Sequence, residues 1–170
     1  MTTLSSPRRW VSAATQRVTS SRVGSRVMIH IAHRADALTL RLTRGRYSMT
    51  SVLTDQPFIT LTTTGAKSGE PRSVPLLGIP DGDNIILIAS SWGQTKHPSW
   101  YYNLRAHPQA IISRDGHSRS YLAEELAGEE RERCWDMAVR VYPGYNAYRR
   151  WTNGRSIPVM RLTPQQASSA

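Results

Sequence analysis

The sequence predicts an α+β protein in which five or six short, mainly antiparallel strands form a small barrel with helices packed outside it. Six segments rich in β-branched, aromatic or aliphatic residues alternate with turn signals, and they are FITLTTTG, SVPLLGI, NIILIAS, QAIIS, SYLAEEL and IPVMRLTP. The turns PDGD and RDGHSR predict two β-hairpins between neighbouring segments. Short strands joined by hairpins, together with few helices, are typical of such barrels.

A peripheral helix is predicted after the second hairpin, in GEERERCWDMAVRVY. Its apolar residues recur at i, i+3, i+4 and i+7, and they are Trp135, Ala138, Val139 and Tyr142. Acids at the start of this segment suit a helix N-terminus, and Pro143-Gly144 ends it. We expect the helix to bury Cys134. Because Cys134 is the single cysteine of the chain, an internal disulfide is excluded.

The N-terminal third predicts a different kind of element. We divide the chain into a basic helical extension over residues 1–45 and a barrel domain over residues 46–170. Residues 1–50 hold nine arginines and one acid, Asp36, which gives a net charge of +8 out of +10 for the whole chain. An Arg-rich amphipathic helix can lie on an anionic membrane, so residues 8–45 predict a peripheral membrane contact. The alternative is a helix that packs on the barrel.

Composition also limits location and cofactor class. The sequence has no apolar run near the roughly 20 residues of a spanning helix and no signal peptide. We therefore expect a cytoplasmic protein, with the inner face of the cell membrane as a candidate location. The five histidines show no metal-ligand spacing with each other or with the cysteine, so no metal site is predicted.

The stretch TTTGAKSGEPRSVPLL predicts an anion site in the turn after the first strand. Glycines allow backbone N–H groups to converge on a phosphate, and Lys67 and Arg72 place two cations across one tight turn. The arginine offers a planar fork and the lysine a point charge. The alternative is an ordinary solvated hairpin turn, because Lys, Ser, Gly and Glu are common in such turns.

Aromatic side chains dominate two further segments. ASSWGQTKHPSWYYNLRAHPQA can place a flat aromatic wall beside a cation, which suits a planar heterocycle with an anionic tail. YPGYNAYRRWT spaces three tyrosines three residues apart, so a helical backbone lines their phenols along one edge. Phenols are proton donors at neutral pH. The alternatives are that Trp100 and Tyr101 anchor a short helix to the core and that the tyrosines form a packing stripe.

Together, TTTGAKSGEPRSVPLL, HPSWYYNLRAHP, EERERCW, VYPGYNAY and IPV resemble the deazaflavin-dependent nitroreductase family of actinobacteria. The resemblance spans about residues 38–164 and implies a split β-barrel that binds coenzyme F(420), an 8-hydroxy-5-deazaflavin with a ribityl phosphate and an oligoglutamate tail. It also implies transfer of a hydride from the reduced ring to a quinone, a nitro compound or an activated alkene.

The resemblance assigns roles to residues of this chain. For the coenzyme it implies a phosphate site, backbone that lines the ring, and a covering loop, formed by Lys67, Arg72, Val74, Pro75, Ser90, Ser91, Lys96 and Trp100. For catalysis it implies Tyr142, Tyr145 and Ser90. For the acceptor it implies Trp92, Leu77 and Tyr148. Ala66 stands where the family commonly has an arginine, and Leu77 stands where one nitroimidazole-active member type has a tyrosine.

Two other functions remain open at this stage. An FMN-dependent split-barrel oxidase or reductase would use the same two cations, because FMN also has a ribityl phosphate. A basic nucleic-acid-binding domain fits the net charge and the interleaved aromatics. Against it, the arginines cluster at the N-terminus rather than near the aromatic loop, so no nucleic-acid partner is expected. The sequence leaves open whether the chain is a monomer or a homodimer.

Overall fold

A computed structural model describes residues 57–165. The predicted N-terminal helix over residues 8–45 lies outside the described residues. The regular elements, in chain order, are β1 Phe58–Thr64, β2 Pro71–Leu77, β3 Ile79–Asp81, β4 Asn84–Ile88, α1 Ser99–Ala106, β5 Gln109–Arg114, β6 His117–Glu125, α2 Gly128–Val141, α3 Gly144–Trp151 and β7 Val159–Pro164. Among the helices of this range, none is long and apolar enough to cross a membrane.

The strands form one antiparallel sheet of seven strands in the order β2-β1-β5-β6-β7-β4-β3. The two edge strands, β2 and β3, are consecutive in the chain and are separated by Gly78 alone. The sheet must therefore curl until its two edges approach each other at this residue. Gly78 fits there because an added Cβ would lie 3.1 Å from the side chain of Ile59.

The core is divided between the inside of the curl and the outside of β4 and β7. Strand β1 alternates between buried and half-buried positions, as expected for a strand with one covered face. Strand β4 instead buries both of its faces: Leu87 packs with the inner cluster, while Ile86 and Ile88 pack with the outer one. This two-sided burial explains the continuous apolar run NIILIA.

The helices cover two sides of the sheet. Helix α1 places Trp100, Tyr101 and Leu104 in the inner cluster, so it closes one end of the curl. Helices α2 and α3 pack over the outer cluster through residues that include Cys134, Trp135 and Tyr145. The predicted burial of Cys134 is confirmed.

The fold class and both hairpins are confirmed, but the predicted number of five or six strands is wrong. The hairpin tips pair Asp81 with Asn84 and Arg114 with His117. The extra strand arises because SVPLLGI, expected as one strand, is interrupted at Gly78. Its first part pairs with β1 and its last part pairs with β4.

Candidate functional site

Three chain connections meet at the end of the curl that α1 closes. They are the β1–β2 turn over residues 65–70, the β4–α1 loop over residues 89–98, and the α3–β7 loop over residues 152–158. Antiparallel pairing places the ends of β1 and β4 and the start of β7 at this same end. Five of the thirteen residues predicted for the site lie on these connections, namely Lys67, Ser90, Ser91, Trp92 and Lys96.

The β1–β2 turn and the start of β2 present two cations to solvent. Lys67 and Arg72 are both exposed, and neither forms an ion pair within residues 57–165, although Glu70 lies in the same turn. Gly65 closes the turn: its N–H donates to Glu70 O at 2.8 Å, and its O accepts from Gly69 N–H at 2.8 Å. A Cβ at Gly65 would lie 2.6 Å from Ser68 Oγ, so a larger residue would change the turn.

Asn103 of α1 fixes this turn from below. Its side chain is only 8% exposed. Its Oδ1 accepts from Ala66 N–H at 3.0 Å, and its Nδ2 donates to Thr63 Oγ1 at 3.0 Å. The turn that carries Lys67 is therefore tied to the helix that closes the curl. Sequence reasoning missed Asn103, because its partners lie about 40 residues earlier in the chain.

The β4–α1 loop begins with a left-handed turn. Ser91, Trp92 and Gly93 have φ of 49°, 56° and 74°. Left-handed backbone costs about 1–2 kcal/mol for a residue with a Cβ, so two of these positions are strained. Such strain persists only where the surroundings hold it, and it often marks a functional site. The turn packs on α3, since a Cβ at Gly93 would lie 3.1 Å from Trp151 and 3.2 Å from Tyr148 Cα.

Arg155, on the α3–β7 loop, binds this strained loop through many hydrogen bonds. Its Nη2 donates to Ser90 O at 3.0 Å and to Gln94 O at 2.9 Å, and its Nε donates to Gln94 O at 3.1 Å. Its Nη1 lies 3.4 Å from Ala89 O. Burial lowers the pKa of the guanidinium. Sequence reasoning missed Arg155 as well, because TNGRSIP carries no signal of this contact.

The tautomer of His97 follows from the same arginine. Arg155 Nη1 lies 2.7 Å from His97 Nδ1. A guanidinium only donates hydrogen bonds, so Nδ1 must accept and the ring hydrogen resides on Nε2. Burial, and then the charge of Arg155, lower the pKa of His97. The ring also packs on Tyr101, with 4.8 Å between centroids.

The predicted tyrosine cluster is formed. Tyr142 and Tyr148 hydroxyl oxygens lie 2.9 Å apart, and Tyr145 packs edge-on against both rings at centroid distances of 5.2 Å and 6.3 Å. Gly144 makes this possible because the Tyr142 ring folds back over it, and a Cβ at Gly144 would overlap that ring. Trp92 joins the cluster edge-on to Tyr148 at 6.3 Å.

Burial sets the protonation of these phenols. Tyr145 is 5% exposed, and its hydroxyl has no hydrogen-bond partner among the side chains and backbone groups that the structure describes. Burial raises the pKa of Tyr145 and of Tyr148. Both groups therefore stay protonated at neutral pH and act as hydrogen-bond donors rather than as bases.

The other predicted site residues differ in their burial and in the cluster they join. Val74 and Pro75 are half-buried on β2, and Lys96 is exposed on the β4–α1 loop. Ser90 is buried at the end of β4. Trp100 is 6% exposed within the inner cluster. Leu77 packs against the outer cluster together with Trp92 and the tyrosines.

The predicted site thus consists of two parts. Trp92 and Leu77 pack against the same cluster as the tyrosines, and Ser90 and Ser91 directly precede Trp92 in the chain, whereas Lys67 lies on the β1–β2 turn and Arg72 at the start of β2. No hydrogen bond within residues 57–165 joins the two parts directly; α1 and the loop before it lie between them. The arrangement has two exposed cations at one side and a cluster of protonated phenols at the other. Within the same range, no group of three potential metal ligands occurs.

Known proteins share this arrangement of sequence and fold. The family described as F420H(2)-dependent quinone reductase matches residues 32–164. A protein of Mycobacterium tuberculosis (strain ATCC 25618 / H37Rv), Rv3178, named provisionally as such a reductase, is 36% identical over 109 residues, which cover 64% of this chain and 91% of that protein.

Two solved structures agree with this match. The structure of F420-H2 dependent reductase (FDR-A) is 42% identical and superposes with a TM-score of 0.58, over 62% of this chain and 93% of that chain. A structure described as a domain-swapped dimer is 34% identical with a TM-score of 0.61, over 92% of this chain and 99% of that chain. The family match covers more than three quarters of the sequence, and the chain therefore belongs to the F420H(2)-dependent quinone reductases, oxidoreductases of split-barrel fold that use the reduced deazaflavin as cofactor.

Proposed function

We propose that the reduced deazaflavin binds at the α1 end of the curl, with its phosphate on Lys67 and Arg72, and that a quinone accepts the hydride beside the tyrosine cluster. The observation that carries this proposal is the pairing of two features at one end of the sheet. Lys67 and Arg72 are exposed and form no ion pair within residues 57–165, and Asn103 binds the β1–β2 turn. A buried phenol without a described partner lies in the tyrosine cluster.

The residues present fit the cofactor in chemical type. A phosphate prefers cations that are not already neutralised by carboxylates, and Lys67 and Arg72 meet that condition within the described range. A buried polar group without a partner costs about 1–3 kcal/mol, so the Tyr145 hydroxyl favours a ligand oxygen or a water beside it. Ser90, Ser91, Lys96 and Trp100 are proposed to complete the coenzyme site, together with Val74 and Pro75 of β2.

When bound, the reduced deazaflavin supplies a hydride, and a quinone that receives it also needs a proton to become the hydroquinone. In this chain Tyr142 and Tyr145 are proposed to orient the acceptor oxygen and to donate that hydrogen bond or proton, with Ser90 as a relay. The raised pKa of Tyr145 keeps its proton in place until the acceptor oxygen gains negative charge. The Tyr142–Tyr148 hydroxyl contact gives a path by which a proton is replaced.

The acceptor range depends on the residues that border the cluster. Leu77 and Trp92 pack against the same cluster as the tyrosines, so their size limits what can lie beside the phenols. We propose that nitro compounds and activated alkenes of small size are accepted in addition to quinones. Bulky nitroimidazoles are expected to be poor substrates, because Leu77 stands where one nitroimidazole-active member type of the family has a tyrosine. Trp92 is expected to narrow the same side of the site.

The direct test is oxidation of reduced F(420), followed by absorbance, against a panel of quinones, nitro compounds and enones. Quinone-dependent oxidation is expected, together with coenzyme binding in the micromolar range or tighter, about −8 kcal/mol. A protein that purifies yellow with bound FMN and leaves reduced F(420) unoxidised would contradict the proposal.

Gly144→Ala tests the acceptor side on its own. The added Cβ overlaps the Tyr142 ring, so the phenol must leave its position while Lys67 and Arg72 are untouched. The expected result is a lower kcat with quinone and an unchanged coenzyme Kd in a fluorescence titration. Gly82→Ala is the control for a Gly→Ala change without overlap: its φ of 62° adds backbone strain, and a Cβ there meets no atom within 4 Å. Equal losses of Kd and kcat in Gly144→Ala would contradict the assignment of the tyrosines to the acceptor.

We also propose that the chain forms a homodimer. The support is the 34% identical structure described as a domain-swapped dimer, which matches 92% of this chain. Sedimentation equilibrium of the full chain decides between this state and a monomer.

A further inference from the structure

We propose that Arg155 is a positioning residue for the hydride-transfer step: its guanidinium holds the left-handed turn Ser91–Gly93 in the conformation that presents Ser90 and Trp92 to the site. This inference rests on the proposed function for its kinetic consequence. Its structural part, that Arg155 holds the turn, can be tested without the cofactor.

The first support is the reach of one side chain over both ends of the turn. Arg155 donates to Ser90 O at 3.0 Å, just before the left-handed residues, and to Gln94 O at 2.9 Å and 3.1 Å, just after them. A planar group with several N–H donors in a fixed fork binds both carbonyls in one set geometry, whereas a lysine ammonium lacks fixed donor directions. The guanidinium therefore sets the distance between the two ends of the turn.

The second support is the strain that the fork must hold. Ser91 and Trp92 both have a Cβ, and both adopt positive φ. The backbone within the turn forms two hydrogen bonds of its own, from Gly93 N–H to Ser90 O and from Gln94 N–H to Ser91 O, each at 3.0 Å. Without Arg155, relaxation of Ser91 and Trp92 to negative φ would break these bonds and move the Trp92 ring away from Tyr148.

The third support is that Arg155 is itself fixed in place. Buried Thr152 donates to either Arg149 O at 3.0 Å or Arg155 O at 2.9 Å. Asn153 and Gly154 then reverse the chain with φ of 53° and 86°. No carboxylate within residues 57–165 forms an ion pair with Arg155, so its donors are left for carbonyl groups and for His97.

The structural test is amide hydrogen exchange in the full chain without cofactor, comparing wild type with Arg155→Lys and Arg155→Gln. Lysine keeps the charge, glutamine keeps a hydrogen-bond donor, and neither has the fork. Exchange at Gly93 and Gln94 is expected to accelerate about tenfold or more in both variants, because local opening exposes their amides. Arg161→Lys is the matched control, since Arg161 binds Glu124 and Glu130 on the outer surface. Unchanged exchange in the Arg155 variants overturns the inference.

The kinetic test separates positioning from general stability. In Arg155→Lys, kcat/KM for quinone is expected to fall about tenfold or more through misplacement of the reacting groups, while the coenzyme Kd set by Lys67 and Arg72 changes less than threefold, by less than about 0.65 kcal/mol. Faster exchange with unaltered kcat/KM, or wild-type activity in Arg155→Lys and loss in Arg155→Gln, overturns the positioning role. If wild type leaves reduced F(420) unoxidised, the proposed function fails, and the exchange data still decide whether Arg155 holds the turn.

Discussion

At the scale of single residues, the proposed coenzyme contacts of Lys67 and Arg72 can be removed without loss of a contact that stabilises the described fold. Lys67 and Arg72 are exposed and unpaired within the described range, so the fold does not need their charges. Each charge-assisted hydrogen bond to a phosphate contributes about 1.5–3 kcal/mol. The double variant Lys67→Ala/Arg72→Ala is therefore expected to weaken coenzyme binding by about 100-fold or more, with an unchanged melting temperature.

Fluorescence titration of reduced F(420) measures this loss, and thermal unfolding measures stability. Arg114→Ala is the matched control, because Arg114 is an exposed cation on the β5–β6 hairpin at the opposite end of the sheet. A melting temperature that drops in step with affinity would instead assign a structural role to the turn.

His97 links stability to pH. Its pKa in the folded chain is lowered by burial and by Arg155, and Arg105 lowers it further, whereas Glu125 raises it. Tyr101 and Tyr102 also face the ring. Below the ordinary value of 6.5, the unfolded chain takes up a proton that the folded chain resists. This contribution therefore lowers stability as pH falls from about 6.5 through the folded pKa.

The measurement is the melting temperature of wild type and of His97→Gln between pH 7.5 and pH 5.5. Wild type is expected to lose more stability over this range than the variant. His117→Gln, on the β5–β6 hairpin, is the control and is expected to follow wild type. Parallel curves for wild type and His97→Gln would contradict the assignment.

The sequence revealed the types of the site residues but not their contacts. The spacing of Tyr145 and Tyr148 in YPGYNAY predicted that their rings lie close together, because three residues make nearly one helical turn. Tyr142 precedes α3 and joins them because its ring folds back over Gly144. Asn103 and Arg155 escaped notice because each acts on backbone far away in the chain, about 40 and 65 residues earlier. Such contacts depend on which strands become neighbours, and local pattern does not specify strand order.

At the scale of elements, the left-handed turn after β4 packs closely on α3. Gly93 needs positive φ, and a Cβ there would meet Trp151 and the backbone of Tyr148. Gly116 has φ of 82° but open space around it. Both Gly→Ala variants incur backbone strain of about 1 kcal/mol, and Gly93→Ala adds overpacking of about 1–3 kcal/mol.

Denaturant unfolding of Gly93→Ala and Gly116→Ala measures the difference, and the second variant serves as the control for strain. Gly93→Ala is expected to be less stable by the overpacking contribution. It is also expected to reduce quinone turnover, because the turn must shift away from α3. Equal free energies of unfolding for the two variants would show that α3 shifts to accommodate the added Cβ without loss of stability.

The strand elements show where sequence patterns stop being informative. Alternation in FITLTTTG predicted a strand with one buried face, and β1 has that pattern. SVPLLGI carries no break signal except Gly78, and a glycine inside an apolar run does not tell where the partner strand changes. Seven strands instead of five or six is the result.

At the scale of the whole molecule, the positive charge is concentrated in the N-terminal segment. Residues 1–50 carry +8 of the net charge of +10, and they lie outside the described residues. Each basic residue near an anionic bilayer contributes about 1 kcal/mol of attraction. The full chain is therefore expected to co-sediment with phosphatidylglycerol vesicles and not with phosphatidylcholine vesicles.

A full-length variant with Arg→Gln changes at residues 8, 9, 17, 22 and 26 is expected to lose this binding. A variant with Arg→Gln changes at residues 114 and 119 is the control, because these residues lie on the β5–β6 hairpin. Equal co-sedimentation of all three proteins, or none with either lipid, would contradict a membrane role for the N-terminal segment.

Strand β2, which Gly78 connects to β3, links the two proposed parts of the site. Arg72 and Leu77 stand at opposite ends of one strand, so about 17 Å of extended backbone separates them. Both ends of β2 have a fixed position in the sheet. The whole strand is held in register by its pairing with β1, and its last residue, Leu77, is joined to β3 through Gly78. Under the proposed function, one strand therefore carries a coenzyme contact at Arg72 and an acceptor contact at Leu77. A substitution at Leu77 is then expected to change which acceptor is reduced, while the contact of Arg72 with the coenzyme is kept.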